Sequence, residues 1–205
     1  NSKYYTRSVN RLAQLYFKEN NYEESLKYYK DLELISKNNR EKIDSYVGSL
    51  TNYYFLKKFD SVQYYSQQIN NFDKISFNNR NKINLLSAKS YLESGNTSTG
   101  IDKLLTTINL VKDESAAEAN YLLAKIFFDQ GQKNQALESL YSLNENFSNN
   151  QFWVGKSYIL IAEIFISMGE DFQANATLES LIENTDIMLI KNEAEELINK
   201  LNTDD

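Results

Sequence analysis

AKIFFDQGQKNQALESLYSL, residues 124–143, decides how the rest of the chain is read. Ala124 is followed by Phe127, Gly131, Ala136, Leu140 and Leu143. Apolar residues three and four apart mark one face of a helix, so the stretch predicts two short helices. Gly131 stands between them, where the first helix must stop. The residue after a helix end often takes a left-handed conformation, which glycine adopts without cost to a side chain. Ala124 and Ala136 are predicted on the facing sides, where small side chains let two backbones approach.

The pattern occurs five times. Its first small position is filled by Ala13, Leu50, Ala88, Ala124 and Ala162, at spacings of 37, 38, 36 and 38 residues. An aromatic follows: Tyr16, Tyr53, Tyr91, Phe127 and Phe165. The turn position holds Asn20, Lys57, Gly95, Gly131 and Gly169. The small position of the second helix holds Ser25, Val62, Gly100, Ala136 and Ala174. Two large positions follow it, at Tyr29, Ser66, Leu104, Leu140 and Leu178, then at Leu32, Ile69, Thr107, Leu143 and Leu181. A fixed period of this length marks stacked supersecondary units that bury their apolar faces against one another.

NNYEESLKYY, residues 20–29, and the order small, aromatic, Gly, Ala, Leu resemble the tetratricopeptide repeat. The resemblance covers about residues 6–188. It lacks the family's proline after the second helix and its Trp-Leu-Gly opening, and the repeats are a few residues longer than the common 34. Leu50 and Val62 are large for their positions, so the second repeat is the most degenerate. FWVGKSYILIAEIFISMGEDFQANATLESLIEN, residues 152–184, is similar to the closing repeat of large tetratricopeptide proteins of the Bacteroidota cell envelope. The resemblance implies an all-α fold, a right-handed superhelical solenoid of five helix pairs with a C-terminal capping helix. One domain over 1–205 is expected, with repeats at about 6–39, 43–76, 81–114, 117–150 and 155–188 and the cap at about 187–202. In the third turn, Ser98 or Thr97 is expected to cap the following helix. Of the neighbours Tyr28 and Tyr29, one is expected to pack between repeats.

Composition limits the chemistry. The 205 residues contain no Cys, His or Pro, which excludes thiol nucleophiles, disulfides, the usual zinc sites and histidine acid–base catalysis. Hydrophobic residues make up 41%, enough for a continuous core rather than a disordered chain. No stretch of 18 apolar residues is present, so direct membrane insertion is not expected. The chain begins at Asn1 rather than Met and is expected to be a fragment of a longer protein. Residues 1–100 carry 15 basic and 10 acidic side chains, whereas residues 101–205 carry 7 and 18. The acidic second half argues against nucleic acid as a partner and suits a basic one; drifting composition of solvated faces accounts for the same numbers.

In tetratricopeptide arrays the first helices line the binding surface. The resemblance puts groove positions around the first small slot, and the candidates are Gln14, Phe17, Thr51, Tyr54, Phe55, Lys89, Tyr121, Lys125, Phe128 and Glu163. The family's carboxylate clamp needs Lys three before that slot and Asn just after it. Asn10 and Gln14 stand there instead. Aromatic rings beside Lys89 and Lys125 suit a peptide with apolar anchors and acidic groups, although aromatics at helical spacing also serve as core. Glu163 is spaced to pair with Lys125. No catalytic residue, cofactor or metal site is expected, and Asp204-Asp205 reads as surface charge. The leading expectation is a non-catalytic scaffold that binds a protein or peptide partner. The alternative is a self-associating or accessory domain of an envelope assembly or secretion complex, in the bacterial periplasm or cell envelope.

Overall fold

The computed structural model describes residues 3–201. All regular structure among them is helical. The elements are α1 (Lys3–Lys18), α2 (Tyr22–Ile35), α3 (Asn39–Phe55), α4 (Phe59–Asn70), α5 (Phe77–Glu93), α6 (Thr97–Leu110), α7 (Glu114–Asp129), α8 (Lys133–Asn146), α9 (Gln151–Met168), α10 (Asp171–Asn184) and α11 (Met188–Leu201). The expected pair Asp204-Asp205 and position 202 lie outside the described residues. The chain divides into two compact units, Asn1–Val111 and Lys112–Asp205.

Helix ends follow from local chemistry. All five turn positions read from the repeat take positive φ: Asn20 at 58°, Lys57 at 55°, Gly95 at 79°, Gly131 at 77° and Gly169 at 77°. The residue after each turn position donates its backbone N–H to a carbonyl five residues back, as Gln132 does to Phe127 at 2.8 Å. This closes the end of the first helix. Side-chain caps open several helices: Asn21, Asn38, Ser76, Asn96 and Asp113 each accept a backbone N–H three residues on. The third turn corrects the sequence reading. Asn96 is the cap of α6, and Thr97 and Ser98 are already helical, because the helix starts one residue earlier than expected.

In the first unit, α1–α2, α3–α4 and α5–α6 are antiparallel hairpins. The first helices α1, α3 and α5 also pack side by side, while α2 packs onto α3 and α4 onto α5. Ala13, Leu50, Ala88, Ser25, Val62 and Gly100 are buried, as are the large positions behind them. Ser25 donates its hydroxyl to the Ala13 carbonyl at 2.8 Å, so even a polar residue is satisfied at the closest approach. Gly100 is required sterically, because a Cβ there would stand 2.6 Å from Leu92. Tyr29 is the tyrosine that packs between hairpins. Its ring fills the space beside Gly48 of α3, where a Cβ would come within 2.2 Å of it. Tyr28 instead stacks on Tyr16 of its own hairpin, ring centres 5.4 Å apart. On the second helices, Lys30 hydrogen-bonds Tyr65, and Glu33 accepts from both, at 2.7 Å from Lys30 and 3.0 Å from Tyr65.

In the second unit, α7–α8 and α9–α10 are hairpins and α11 packs on both α9 and α10. Ala124 and Ala136 pack with Leu140, Leu160 and Ile164. Ala162 and Ala174 pack with Leu178, Ile190 and Ala194. Gly155 lets α11 close onto α9, since a Cβ there would meet Ile190 at 2.7 Å. The outer side of α11 carries exposed Asn192, Glu195, Glu196 and Asn199, and its buried residues are Ile190 and Ala194.

The turn geometry predicts opposite outcomes for two substitutions. No heavy atom lies within 4 Å of a Cβ built at Gly131, so Gly131→Ala meets only the left-handed backbone penalty and costs about 1 kcal/mol. Lys57 already bears that penalty, so Lys57→Gly gains about 0.5 kcal/mol. Urea unfolding followed by circular dichroism measures both, and equal signs would contradict the assignment.

Candidate functional site

The side-by-side packing of α1, α3 and α5 leaves one face of these helices uncovered by their partners. Here the first unit gathers Gln14, Phe17 and Thr51 with Asn10, Tyr29, Asp44, Val47, Asn52, Asn79 and Lys82 around a trough of about 230 Å³. Thr51 is buried, and its hydroxyl donates to the Val47 carbonyl at 2.7 Å, so it offers the trough mainly its methyl group. Gln14 is exposed, and its amide reaches Asn10 at 3.5 Å.

Next to the trough stands an aromatic wall. Tyr22 stacks on Phe55 with ring centres 4.7 Å apart, and Phe17 meets both at 5.5 Å. Tyr54 meets Phe55 edge-on at 5.5 Å, and the Lys89 ammonium lies 5.2 Å from the centre of the Tyr54 ring. Aromatic edge and stack contacts hold these rings in fixed orientation, and the cation sits against the negative face of Tyr54. Phe55 remains 45% exposed despite its three ring partners. It is therefore the ring that the wall presents outward, whereas Phe17 and Tyr54 are half-buried and serve packing as well.

The expected residues of the second unit are more committed to structure. Tyr121 is half-buried and packs on Trp153, ring centres 5.4 Å apart. Burial, then the nearby charges of Glu163, Glu193 and Asp129, push its phenol up to about 12. Phe128 packs against the Ala124–Ala136 core. Lys125 makes its ion pair within α7, at 3.5 Å from Asp129, rather than with Glu163. Lys125 instead acts on Glu163 at longer range, drawing its pKa down against the stronger upward push of burial; the net shift is upward. Glu193 also raises it, but that carboxylate is held by Lys156 at 2.5 Å across α9 and α11. Glu163 nevertheless remains exposed at the edge of the packed helices, so solvent screens these influences. Among the described residues, no group of three ligating side chains is placed to hold a metal.

A cleft of about 580 Å³ in the second unit lies between the start of α9, the end of α10 and residues 185–186. None of the expected site residues lines it. Several of its polar groups are already engaged: Thr177 donates to Gln173 at 2.7 Å and Asn184 to Ser180 at 2.8 Å.

The sequence reading missed Asp44, Asn52, Asn79 and Lys82. It took the positions three before, one after, and four and five after the first small slot, and these four residues stand at other positions of the register. The signal that finds two of them is the repeat itself: Asp44 and Lys82 each stand six residues before a slot.

Comparison with known proteins agrees with the geometry. Residues 6–39 and 118–150 each match a family model described as tetratricopeptide repeat. No curated protein matches the chain by sequence. Among solved structures, Bacillus thuringiensis PlcR in complex with the peptide PapR7 and DNA superposes with a TM-score of 0.69 at 17% identity, covering 97% of this chain and 76% of that one. The C-terminal part of a TPR repeat-containing protein from Cytophaga hutchinsonii superposes with a TM-score of 0.66 at 18% identity, covering 90% of this chain and 69% of that one. YrrB, described as a TPR protein with an unusual peptide-binding site, gives 0.56 at 13% identity, covering 92% and 90%. At these identities the likeness is one of fold. No helix among the described residues is long and apolar enough to cross a membrane.

The raised pKa of Glu163 has a signed consequence. A carboxyl that holds its proton more tightly when folded costs stability as pH rises through and above its unfolded value of about 4.3. Glu163→Gln is therefore more stable than the parent at pH 7, and the difference disappears at pH 3. Thermal unfolding at the two pH values measures it, and a parent more stable than the variant at pH 7 would contradict the assigned environment.

Proposed function

We propose that the chain, whose residues 6–39 and 118–150 match the tetratricopeptide-repeat model, is a non-catalytic scaffold that holds an extended segment of a partner protein against α1, α3 and α5. The observation that carries this reading is the aromatic wall ending in exposed Phe55, beside a trough walled by amides and charged groups. Fixed aromatic rings give an apolar anchor a large contact at little entropic cost, and amides pair with peptide N–H and C=O groups. Two of the superposed structures support peptide binding as a use of this fold: PlcR was solved with the peptide PapR7, and YrrB is described by its peptide-binding site.

The absence of Cys and His leaves carboxylates as the main candidates for acid–base chemistry. The excess of acidic over basic residues is confined to residues 101–205, so it weighs against nucleic acid only on the second unit. Placement in a bacterial cell envelope rests on the resemblance of residues 152–184 alone and is proposed on that ground.

Selection of short random peptides on the whole chain tests the scaffold. Phe55→Ala removes a partly exposed ring together with its contacts to Phe17, Tyr22 and Tyr54, so helix content is retained while stability falls by about 1–2 kcal/mol. Binding of the selected peptides falls about tenfold, the scale of one lost anchor of 1–2 kcal/mol. Tyr121→Ala, by contrast, opens a packed site in the second unit and lowers stability by about 3 kcal/mol. Undiminished peptide binding by Phe55→Ala, or failure to select any peptide, would overturn the proposal.

A further inference from the structure

Two opposite charges line the trough of the first unit, Asp44 on α3 and Lys82 on α5. They occupy the same place in the repeat, six residues before Leu50 and six before Ala88, so they stand at the same level on two helices packed side by side. They do not pair with each other, and neither forms an ion pair with another described residue. The equivalent place in the second unit behaves differently. Lys156, six residues before Ala162, is closed by Glu193 of α11 at 2.5 Å. A charge at this register is thus able to meet a partner from the next helix, and in the first unit it does not.

The surroundings of the two charges favour a polar occupant. Asn10, Gln14 and Asn79 line the same trough. Asn52 is wholly buried in its lining. Its amide donates to the Gly48 carbonyl at 2.8 Å, and its Oδ1 has no donor among the described residues. A buried acceptor without a donor is costly, and a ligand N–H or a water at the floor relieves that cost. Asp44 is half-buried, and burial pushes its pKa up, against Arg40 and with Glu41, whereas Lys82 lines the trough from an exposed position.

We propose that this trough selects an extended peptide segment bearing an acidic and a basic side chain two residues apart, the acid directed to Lys82 and the base to Asp44. The inference rests on the peptide-scaffold reading above and adds the chemistry of its ligand. The spacing follows from geometry. Packed helix axes lie about 8–10 Å apart. In an extended chain, side chains two residues apart share one face and are separated by about 6.6 Å, and long side chains span the remainder. Neighbouring residues point to opposite faces and cannot both reach in. A segment with two acids or two bases sets one of them against a like charge.

The test is an array of twelve-residue peptides on one Tyr- and Leu-containing background, in which one Glu and one Lys are placed adjacent, two apart or three apart, in both orders, with Glu–Glu and Lys–Lys controls. The whole chain is probed at low ionic strength. The two-apart peptides bind at least about threefold more tightly than the adjacent ones, the scale of one or two partly exposed ion pairs. Asp44→Asn and Lys82→Met each abolish that preference while retaining helix content. The double charge exchange D44K/K82D reverses the preferred order of Glu and Lys. Binding of all the peptides alike, sensitive to Phe55→Ala but indifferent to spacing, overturns this inference and leaves the scaffold standing. A preference that survives Asp44→Asn and Lys82→Met also overturns it. Binding of no peptide in the array, together with failure of the random selection, overturns both.

Discussion

The close approach of two helix backbones at one small position per hairpin is the constraint on which the rest of the structure depends. Ala13 faces Ser25, Ala124 faces Ala136 and Ala162 faces Ala174, all of them fully buried. A larger residue at such a site forces its neighbours off their preferred rotamers, which costs about 1–3 kcal/mol. Gly100 shows how tight the margin becomes, since Leu92 already fills the space a Cβ would need. The second hairpin meets the constraint with more bulk. Leu50 and Val62 are fully buried together, and Tyr46, Tyr53, Tyr54 and Tyr65 gather around them. An aromatic-rich hairpin here replaces the narrower alanine contact, and it supplies part of the wall at the candidate site.

That packing determines where binding chemistry is available. The second helices cover one side of the first helices, and neighbouring first helices cover two more. What remains is a face on which side chains need not be apolar. In the first unit this face carries amides, two unpaired charges and an exposed aromatic edge. In the second unit the matching positions are largely closed by internal pairs: Tyr121 on Trp153, Lys125 on Asp129, and Lys156 on Glu193. The same register therefore stands open in one unit and serves cohesion in the other, depending on whether a neighbouring helix supplies the complementary group.

The repeat register, the turn positions and the buried positions were legible in the sequence because each follows from a local rule. Turn residues at Asn20, Lys57, Gly95, Gly131 and Gly169 must reverse the chain within a few residues, and all five take positive φ. Small and large positions recur at helical spacing, and all of them are buried. The cap of α6 was misplaced by one residue because Asn96, Thr97 and Ser98 are all competent caps, and only the helix start distinguishes them.

The site was less legible, because it depends on distances across helices rather than along one. The tetratricopeptide resemblance implied that Phe17, Tyr54, Phe55 and Lys89 would lie near the uncovered face. They did not determine that Phe55 would be the exposed ring, nor that Lys125 would prefer Asp129 of its own helix to Glu163. Asp44 and Lys82 were visible only as two charges at a common register. Whether such charges close on each other or stand open depends on the separation of neighbouring helices. That separation is set by the packing of Tyr29 against Gly48 and the other contacts between hairpins, so it was decided by the tertiary structure.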